Sequence, residues 1–108
     1  MTLVELVYSL TKQFSSDERY ALSSQLKRAS VSVPSNLAEG YGHHSTADYI
    51  RFLQIALGSV YETDTQMELA IRLRFANSEE TKDALALCVE IEKMLIALIA
   101  KLRSSTNG

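Results

Sequence analysis

Apolar residues recur at intervals of three and four positions in four stretches of the chain, and short polar segments separate these stretches. This spacing places the apolar side chains on one face of a helix. The pattern predicts helices over residues 3–14, 17–41, 46–75 and 78–102. Because the connections are short, we expect an all-α, antiparallel up-down four-helix bundle. Residues 1–103 are expected to form this single domain, and residues 104–108 a disordered tail.

Residues typical of helix starts precede three of these helices. Ser16 and Ser45 are placed to cap the second and third helices with their hydroxyl groups. Asn77 precedes the fourth helix, and Glu80 follows it at the spacing of a capping box. The pattern therefore fixes where three helices begin.

Two features modify the simple bundle. Pro34 lacks an N–H group and collides with the carbonyl of Ser30, which predicts a kink in the second helix. The apolar spacing continues in phase from Ala29 to Leu37, so we expect one helix and not two.

The first helix is much shorter than the others and leaves part of a groove uncovered. A second subunit is expected to cover the apolar surface there.

A polar series interrupts the apolar pattern of the second helix. Arg28, Ser32, Asn36 and Glu39 follow one another at steps of four, four and three, which places them along one helix face. Polar groups in such a position need partners, either within the protein or from outside it.

The third helix offers partners for this series if the two helices form a hairpin that turns near residues 43 and 44. That geometry places Arg28 opposite Ser59 and one turn from Glu62. It places Arg51 opposite Asn36 and within a turn of Glu39, so that charges pair across the hairpin. The expected structural network comprises Arg28, Ser32, Asn36, Glu39, Arg51, Ser59 and Glu62.

Three interpretations of this network remain open. Buried charges persist when they are paired, so the network can serve to fix the register of the hairpin. It can also form a contact for RNA or for another protein, or a reaction site. Gly58, beside Ser59, is expected to let the two helices approach closely.

Composition and motifs argue against an enzyme. No glutamate stands three residues before a histidine, as a di-iron bundle requires, and no glycine-rich phosphate loop is present. The single cysteine, Cys88, lies in an apolar run and is expected to be a buried core residue. His43 and His44 lie together in a turn and are expected to be solvated. We therefore expect no catalytic residues, no cofactor, no small-molecule substrate and no metal.

Charge and hydropathy bear on attraction to nucleic acid and on contact with a membrane. The formal net charge of −2 gives no general attraction to nucleic acid. The start of the chain lacks a basic leader, and no apolar run reaches the roughly 20 residues that span a bilayer. The expectation is a soluble, cytoplasmic protein without membrane contact.

Two segments, SQLKRASVSVPSNLAEG and YIRFLQIALGSVYETDTQMELA, carry a resemblance to a known family. The shared pattern is a basic pair at Lys27 and Arg28, the core from Ser32 to Gly40, and the motif from Phe52 to Glu62. The chain resembles the four-helix bundle family of the 23S rRNA intervening-sequence proteins, also called S23 ribosomal protein-like. A relative of that family is the accessory variability determinant of diversity-generating retroelements.

The resemblance implies a small bacterial bundle protein with no assigned enzymatic activity. It also implies a barrel-shaped homopentamer, and nucleic-acid binding in the retroelement relative. Two functions follow as expectations. The first is an oligomeric scaffold or adaptor for a protein partner. The second is a weak, non-specific RNA-binding module, with Lys12, Arg19 and Lys27 as the main phosphate contacts.

Overall fold

The computed structural model describes residues 2–14, 17–42 and 45–107, and their backbone forms four helices. These are α1 (Thr2–Thr11), α2 (Asp17–Tyr41), α3 (Thr46–Arg72) and α4 (Ser78–Asn107). Within the described residues there is no strand. The predicted all-α class and the order of the helices are confirmed.

Helix packing gives the molecule an elongated shape of 51 × 21 × 18 Å. Helix α3 packs against α2 and α4, and α1 packs against the same two helices from the other side. Each helix thus contacts both of its neighbours around a common centre, which is the arrangement of an up-down four-helix bundle.

The core follows the apolar stripes of the sequence. The largest fully buried apolar side chains come from all four helices, and burial of each such side chain contributes roughly 1.5–3 kcal/mol to folding. They are Leu3, Val7, Leu26, Val33, Leu53, Val60, Met67 and Cys88.

Two of the predicted caps form as expected. The Ser45 side chain accepts a hydrogen bond from the backbone N–H of Asp48. Asn77 and Glu80 form the full capping box, each accepting from the other's backbone N–H, at 2.8 and 2.9 Å. The predicted cap at Ser16 lies outside the described residues.

Helices α1 and α3 finish at the same end of the bundle, where Phe14 and Phe75 lie just beyond the helix ends. The sequence predicted helix through Phe14 and Phe75, but α1 ends at Thr11 and α3 at Arg72. The two rings instead meet edge to face, with 6.0 Å between their centroids. Arg74 follows α3 with a positive φ of 63°, which turns the chain towards α4. Both helices stop early because these rings close the end of the core.

Helix α2 is continuous across Pro34, as predicted, while the kink itself stays a prediction.

At the other end of the chain, α4 continues to Asn107. Residues 104–107 therefore extend the helix, where the sequence indicated a disordered tail. The stripe of α4 carries on to Leu102, and the polar residues after it complete the last turn.

The difference in helix length leaves one side of the bundle open. Helix α1 has 10 residues, whereas α2 has 25 and α4 has 30. At about 1.5 Å per residue, α1 runs along only part of the groove between α2 and α4. This confirms the short first helix. No helix in the described part of the chain is both long enough and apolar enough to cross a membrane.

Candidate functional site

The predicted ion pair between α2 and α3 forms at the surface of the bundle. The Arg28 guanidinium donates a hydrogen bond to the Glu62 carboxylate, and it also donates to Gln25 Oε1 at 2.9 and 3.0 Å. The side chains of Arg28 and Glu62 are 56% and 38% exposed. The expectation of a buried charge pair was therefore wrong, because the pair lies at the outer edge of the helix interface.

Serine hydroxyls take the inner position in this polar series. Ser32 and Ser59 hydrogen-bond to each other across the two helices at 2.8 Å. Asn36 donates from Nδ2 to the Ser32 hydroxyl at 3.0 Å and to the Ser32 carbonyl at 2.8 Å. Ser59 is buried, and its hydroxyl also lies 3.1 Å from the carbonyl oxygen of Ile55. This chain of hydrogen bonds joins the middle of α2 to the middle of α3.

These contacts correct the predicted register by about one helical turn. The hairpin geometry placed Arg28 opposite Ser59, but the structure pairs Arg28 with Glu62 and Ser32 with Ser59. Arg51 lies 3.9 Å from Asp48 and over the ring of its neighbour Phe52. The pairing of Arg51 with Glu39 or Asn36 stays a prediction.

Glycine permits close approach of α2 and α3, but at a different position from the one predicted. An added Cβ at Gly58 would meet nothing within 4 Å. An added Cβ at Gly40 would lie 2.8 Å from the Cβ of Phe52 and 3.1 Å from Cδ1 of Tyr49. The expectation for Gly58 was wrong because Gly58 points away from α2. Gly40 is the position that sequence reasoning missed, although it stood within the recognised motif.

The network continues along α3 to Gln66. Its Nε2 donates to Glu62 Oε1 at 3.2 Å, while its buried Oε1 has no partner within the described structure. Glu62 thus accepts from both Arg28 and Gln66. The polar series is joined mainly to itself, which is the geometry of a structural network.

The single thiol of the chain is held in an unreactive form. Burial raises the pKa of the Cys88 thiol to about 12, and the nearby carboxylates of Asp64 and Glu92 add to this shift. A neutral, buried thiol is a poor nucleophile. Burial also raises the pKa of Glu92, with further contributions from the charge of Asp64 and a hydrogen bond to it. Among the described residues, no three histidine, cysteine or acidic side chains could hold a metal ion.

The open side of the bundle forms an apolar groove with a volume of about 490 Å³. Leu37 of α2 lines it, and Met94 of α4 projects beside it with 69% of its surface exposed. The sequence predicted uncovered apolar surface here but did not identify these residues. The remaining lining residues, all from α4, are Ile91, Leu95, Ala97 and Leu98.

The three candidate phosphate contacts lie in the part of the bundle that contains α1. Lys27 packs over the ring of Tyr8, with 5.3 Å from Nζ to the ring centroid, and Arg19 packs over Phe75 at 5.0 Å. Lys12 follows the end of α1 and is exposed. Two of the three cations are therefore in contact with aromatic rings of the protein itself.

Comparison with known proteins supports the resemblance in the sequence. The profile of the family described as 23S rRNA-intervening sequence protein matches residues 1–97. A solved structure is also similar, that of a protein of unknown function from the S23 ribosomal protein family of Bacteroides thetaiotaomicron. It shares 29% sequence identity and a TM-score of 0.84, over 91% of this chain and 92% of that chain. No curated protein matches the sequence. The chain, with its four helices and its joined serines, belongs to the family of 23S rRNA-intervening sequence proteins.

Proposed function

We propose that this protein is a non-enzymatic, oligomeric scaffold or adaptor that binds a protein partner. The observation that carries the proposal is the apolar groove between α2 and α4, beside which Met94 is 69% exposed. Contiguous exposed apolar surface of this kind marks a site of protein contact. Its lining offers aliphatic side chains and no charged group, which suits the apolar face of a partner helix.

The polar series between α2 and α3 supports the same proposal. Arg28 and Ser32 bond to residues of α3, and Asn36 bonds to Ser32, so these side chains support the contact between the two helices. A rigid pair of helices is a suitable platform for assembly. The resemblance implies five copies in a closed ring, and this stoichiometry remains a prediction for sedimentation equilibrium to measure.

A second candidate function is weak, non-specific RNA binding. The observation that favours it is the placement of Arg19 and Lys27 in the same part of the bundle, each held over an aromatic ring. Lys12 is exposed nearby at the end of α1. Several copies around a ring would bring these cations together, and binding through phosphates would then weaken steeply with salt.

A gel-shift titration with structured RNA separates the two functions. The scaffold proposal expects no shift at either about 50 mM or about 200 mM salt. RNA binding would give a shift that fades at the higher salt and disappears when Lys12, Arg19 and Lys27 are changed to glutamate. The matched control reverses three charges on α4, at Lys82, Lys93 and Arg103. Loss of binding in both triple variants would indicate net charge, and loss in the first alone a local surface.

A photo-crosslinking amino acid tests the protein partner in cells that express the protein naturally. Placed at Ala38, next to Leu37, it should yield a crosslink to a second kind of protein. The matched control places it at Glu79, an exposed residue in the first turn of α4. Crosslinks that are equal at both positions, or absent at Ala38, would contradict the adaptor function.

A further inference from the structure

The apolar groove continues the channel between α2 and α4 that α1 fills at the other end of the bundle. Helix α1 packs against both helices and buries Leu3, Val7 and Leu10, which follow at steps of four and three. Helix α1 ends and α2 begins at the same end of the bundle. Because α2 has 25 residues and α1 has 10, about 15 residues of α2, or roughly 22 Å, extend past α1. The vacant part of the channel thus has the length of a helix of about four turns.

Two charged side chains of α4 mark the ends of this vacant part. Met94 and Ala97 line the groove. Glu90 lies one turn before Met94 on the same face of the helix. Lys101 lies one turn after Ala97, and both charged side chains are exposed. Within the part of the chain that the structure describes, neither of them forms an ion pair. Glu90 is therefore available for a base near the end of α1, and Lys101 for an acid at the far end.

The α2 side of the groove carries a large aromatic side chain at the same far end. Tyr41 is the last residue of α2, lies one turn beyond Leu37 and is 83% exposed. Because α2 and α4 run in the same direction, Tyr41 and Lys101 both lie at the end remote from α1. Their hydroxyl and ammonium groups both donate hydrogen bonds, so this end suits a carboxylate. An exposed aromatic residue is also typical of a surface that anchors a partner.

On the basis of the proposed adaptor function, we propose that the partner contributes an amphipathic helix that continues the line of α1. Its apolar stripe repeats the steps of three and four by which α1 fills the channel. An acidic residue in its first turn faces Lys101 and Tyr41. A basic residue eleven positions later faces Glu90, because eleven positions also separate Glu90 from Lys101 along α4.

The rim charges also assign the direction of this helix. A helix dipole favours acidic residues in the first turn and basic residues in the last. A partner helix that runs in the direction of α1 satisfies its own dipole and both rim charges with the same two side chains. The opposite direction requires a basic residue in the first turn and an acidic residue in the last. Running with α1 also keeps neighbouring helices antiparallel, as in the rest of the bundle.

Two synthetic, fluorescein-labelled helical peptides of about 16 residues test this proposal by fluorescence anisotropy. Both carry leucines at steps of three and four on one face. The charged peptide has a glutamate in its first turn and a lysine eleven positions later, and the neutral peptide has glutamine at both places. In about 50 mM salt, where screening is weak, the charged peptide should bind about fivefold more tightly than the neutral one. Met94→Glu places a charge in the apolar lining and should abolish the binding of both peptides.

Charge reversal in the protein shows whether the rim selects the peptide. In the double variant Glu90→Lys with Lys101→Glu, the charged peptide should bind about fivefold more weakly than the neutral one. The ratio of the two affinities is the measure, because the helicity of each free peptide is the same against every variant. The matched control, Glu68→Lys with Lys93→Glu, reverses one exposed acid and one exposed base away from the groove lining and should leave the ratio unchanged.

A photo-crosslinker at the first residue of the charged peptide measures the direction. Mass spectrometry should place the crosslink at the Tyr41 and Lys101 end of the groove. A crosslink near Glu90 would overturn the direction.

Failure of this inference can be told apart from failure of the adaptor function. Equal affinities of the two peptides, or an unchanged ratio in the folded double variant, would overturn the assigned charges. Peptides that do not bind, while the crosslinker at Ala38 still captures a natural partner, would overturn the helix and leave the adaptor function standing. The absence of both peptide binding and that crosslink would overturn the two together.

Discussion

The hydroxyl groups of Ser32 on α2 and Ser59 on α3 share a hydrogen bond of 2.8 Å. Ser59 is buried, so water does not readily replace Ser32, and only the Ile55 carbonyl oxygen remains within reach of the Ser59 hydroxyl. The Arg28–Glu62 pair lies near this contact but faces solvent, which screens it. The serine pair therefore contributes more than the ion pair to the alignment of these two helices.

Substitution should show this difference in stability. Arg28→Ala is expected to lower the free energy of unfolding by about 0.5–1 kcal/mol, as for other exposed ion pairs. Ser59→Ala should cost more, about 1–1.5 kcal/mol, because it removes a buried hydrogen bond between the two helices. Urea denaturation of the two variants measures both values. A larger loss for Arg28→Ala than for Ser59→Ala would show that the charge pair governs the interface.

Gly40 and Gly58, two of the glycines of the hairpin, should respond to alanine in opposite directions. Gly40→Ala forces a methyl group to within 2.8 Å of the Phe52 Cβ, and we expect a loss of roughly 1–3 kcal/mol. Gly58→Ala meets open space within a helix and should raise stability by about 0.5–1 kcal/mol.

Thermal unfolding of these two variants under identical conditions gives the comparison, with each serving as the control for the other. Equal effects of the same sign would mean that α2 and α3 do not meet closely at Gly40.

Cys88 should make stability fall at alkaline pH. Its thiol titrates near pH 9 in an unfolded chain and at about 12 in the folded protein. Between these values the unfolded chain has lost the proton that the folded protein retains, so rising pH favours unfolding. Urea denaturation as a function of pH measures this slope, and Cys88→Ala should reduce it.

A second measurement follows from the same burial. The Cys88 thiol should react slowly with a disulfide reagent in the native protein and rapidly in urea. Equal rates in the two conditions would contradict its buried position.

Glu92 should destabilise the bundle as its carboxyl ionises. Burial raises its pKa, and the charge of Asp64 adds to the effect. A raised carboxyl pKa means that stability is greatest at low pH and falls as pH rises through this range. Glu92→Gln should therefore raise the melting temperature at pH 7, with little effect at pH values below the normal carboxyl pKa.

Asp64→Asn should act in the same direction, since it removes the facing charge. If the two groups interact, the double variant gains less than the two single variants together. Full additivity would show that burial alone shifts the pKa of Glu92.

The sequence contained enough information for the helices but not for their exact alignment. Ser45 and the Asn77–Glu80 box located the starts of α3 and α4, and apolar spacing located the core stripes. The predicted register of α2 against α3 was wrong by about one turn. Serines and charged residues recur at helical spacing, so alignments of the two helices that differ by one turn form similar pairs. A glycine permits close approach of two helices only where it faces the neighbouring helix. Sequence spacing did not reveal this direction, so the prediction named Gly58 and missed Gly40. The actual ends of α1 and α3 depend on the meeting of two distant rings, which local pattern does not encode.

The unequal helix lengths have a consequence for motion. A cross-section of the bundle contains four helices along the length of α1. Beyond the first residue of α1, it contains only α2, α3 and α4. The three-helix end buries less apolar surface per turn, so its backbone should open more often than the end closed by Phe14 and Phe75. Amide protons in the last turns of α2 and α4 should then exchange with solvent first. A molecule bound in the groove would slow that exchange, so the exchange rates of these amides report whether the groove is occupied.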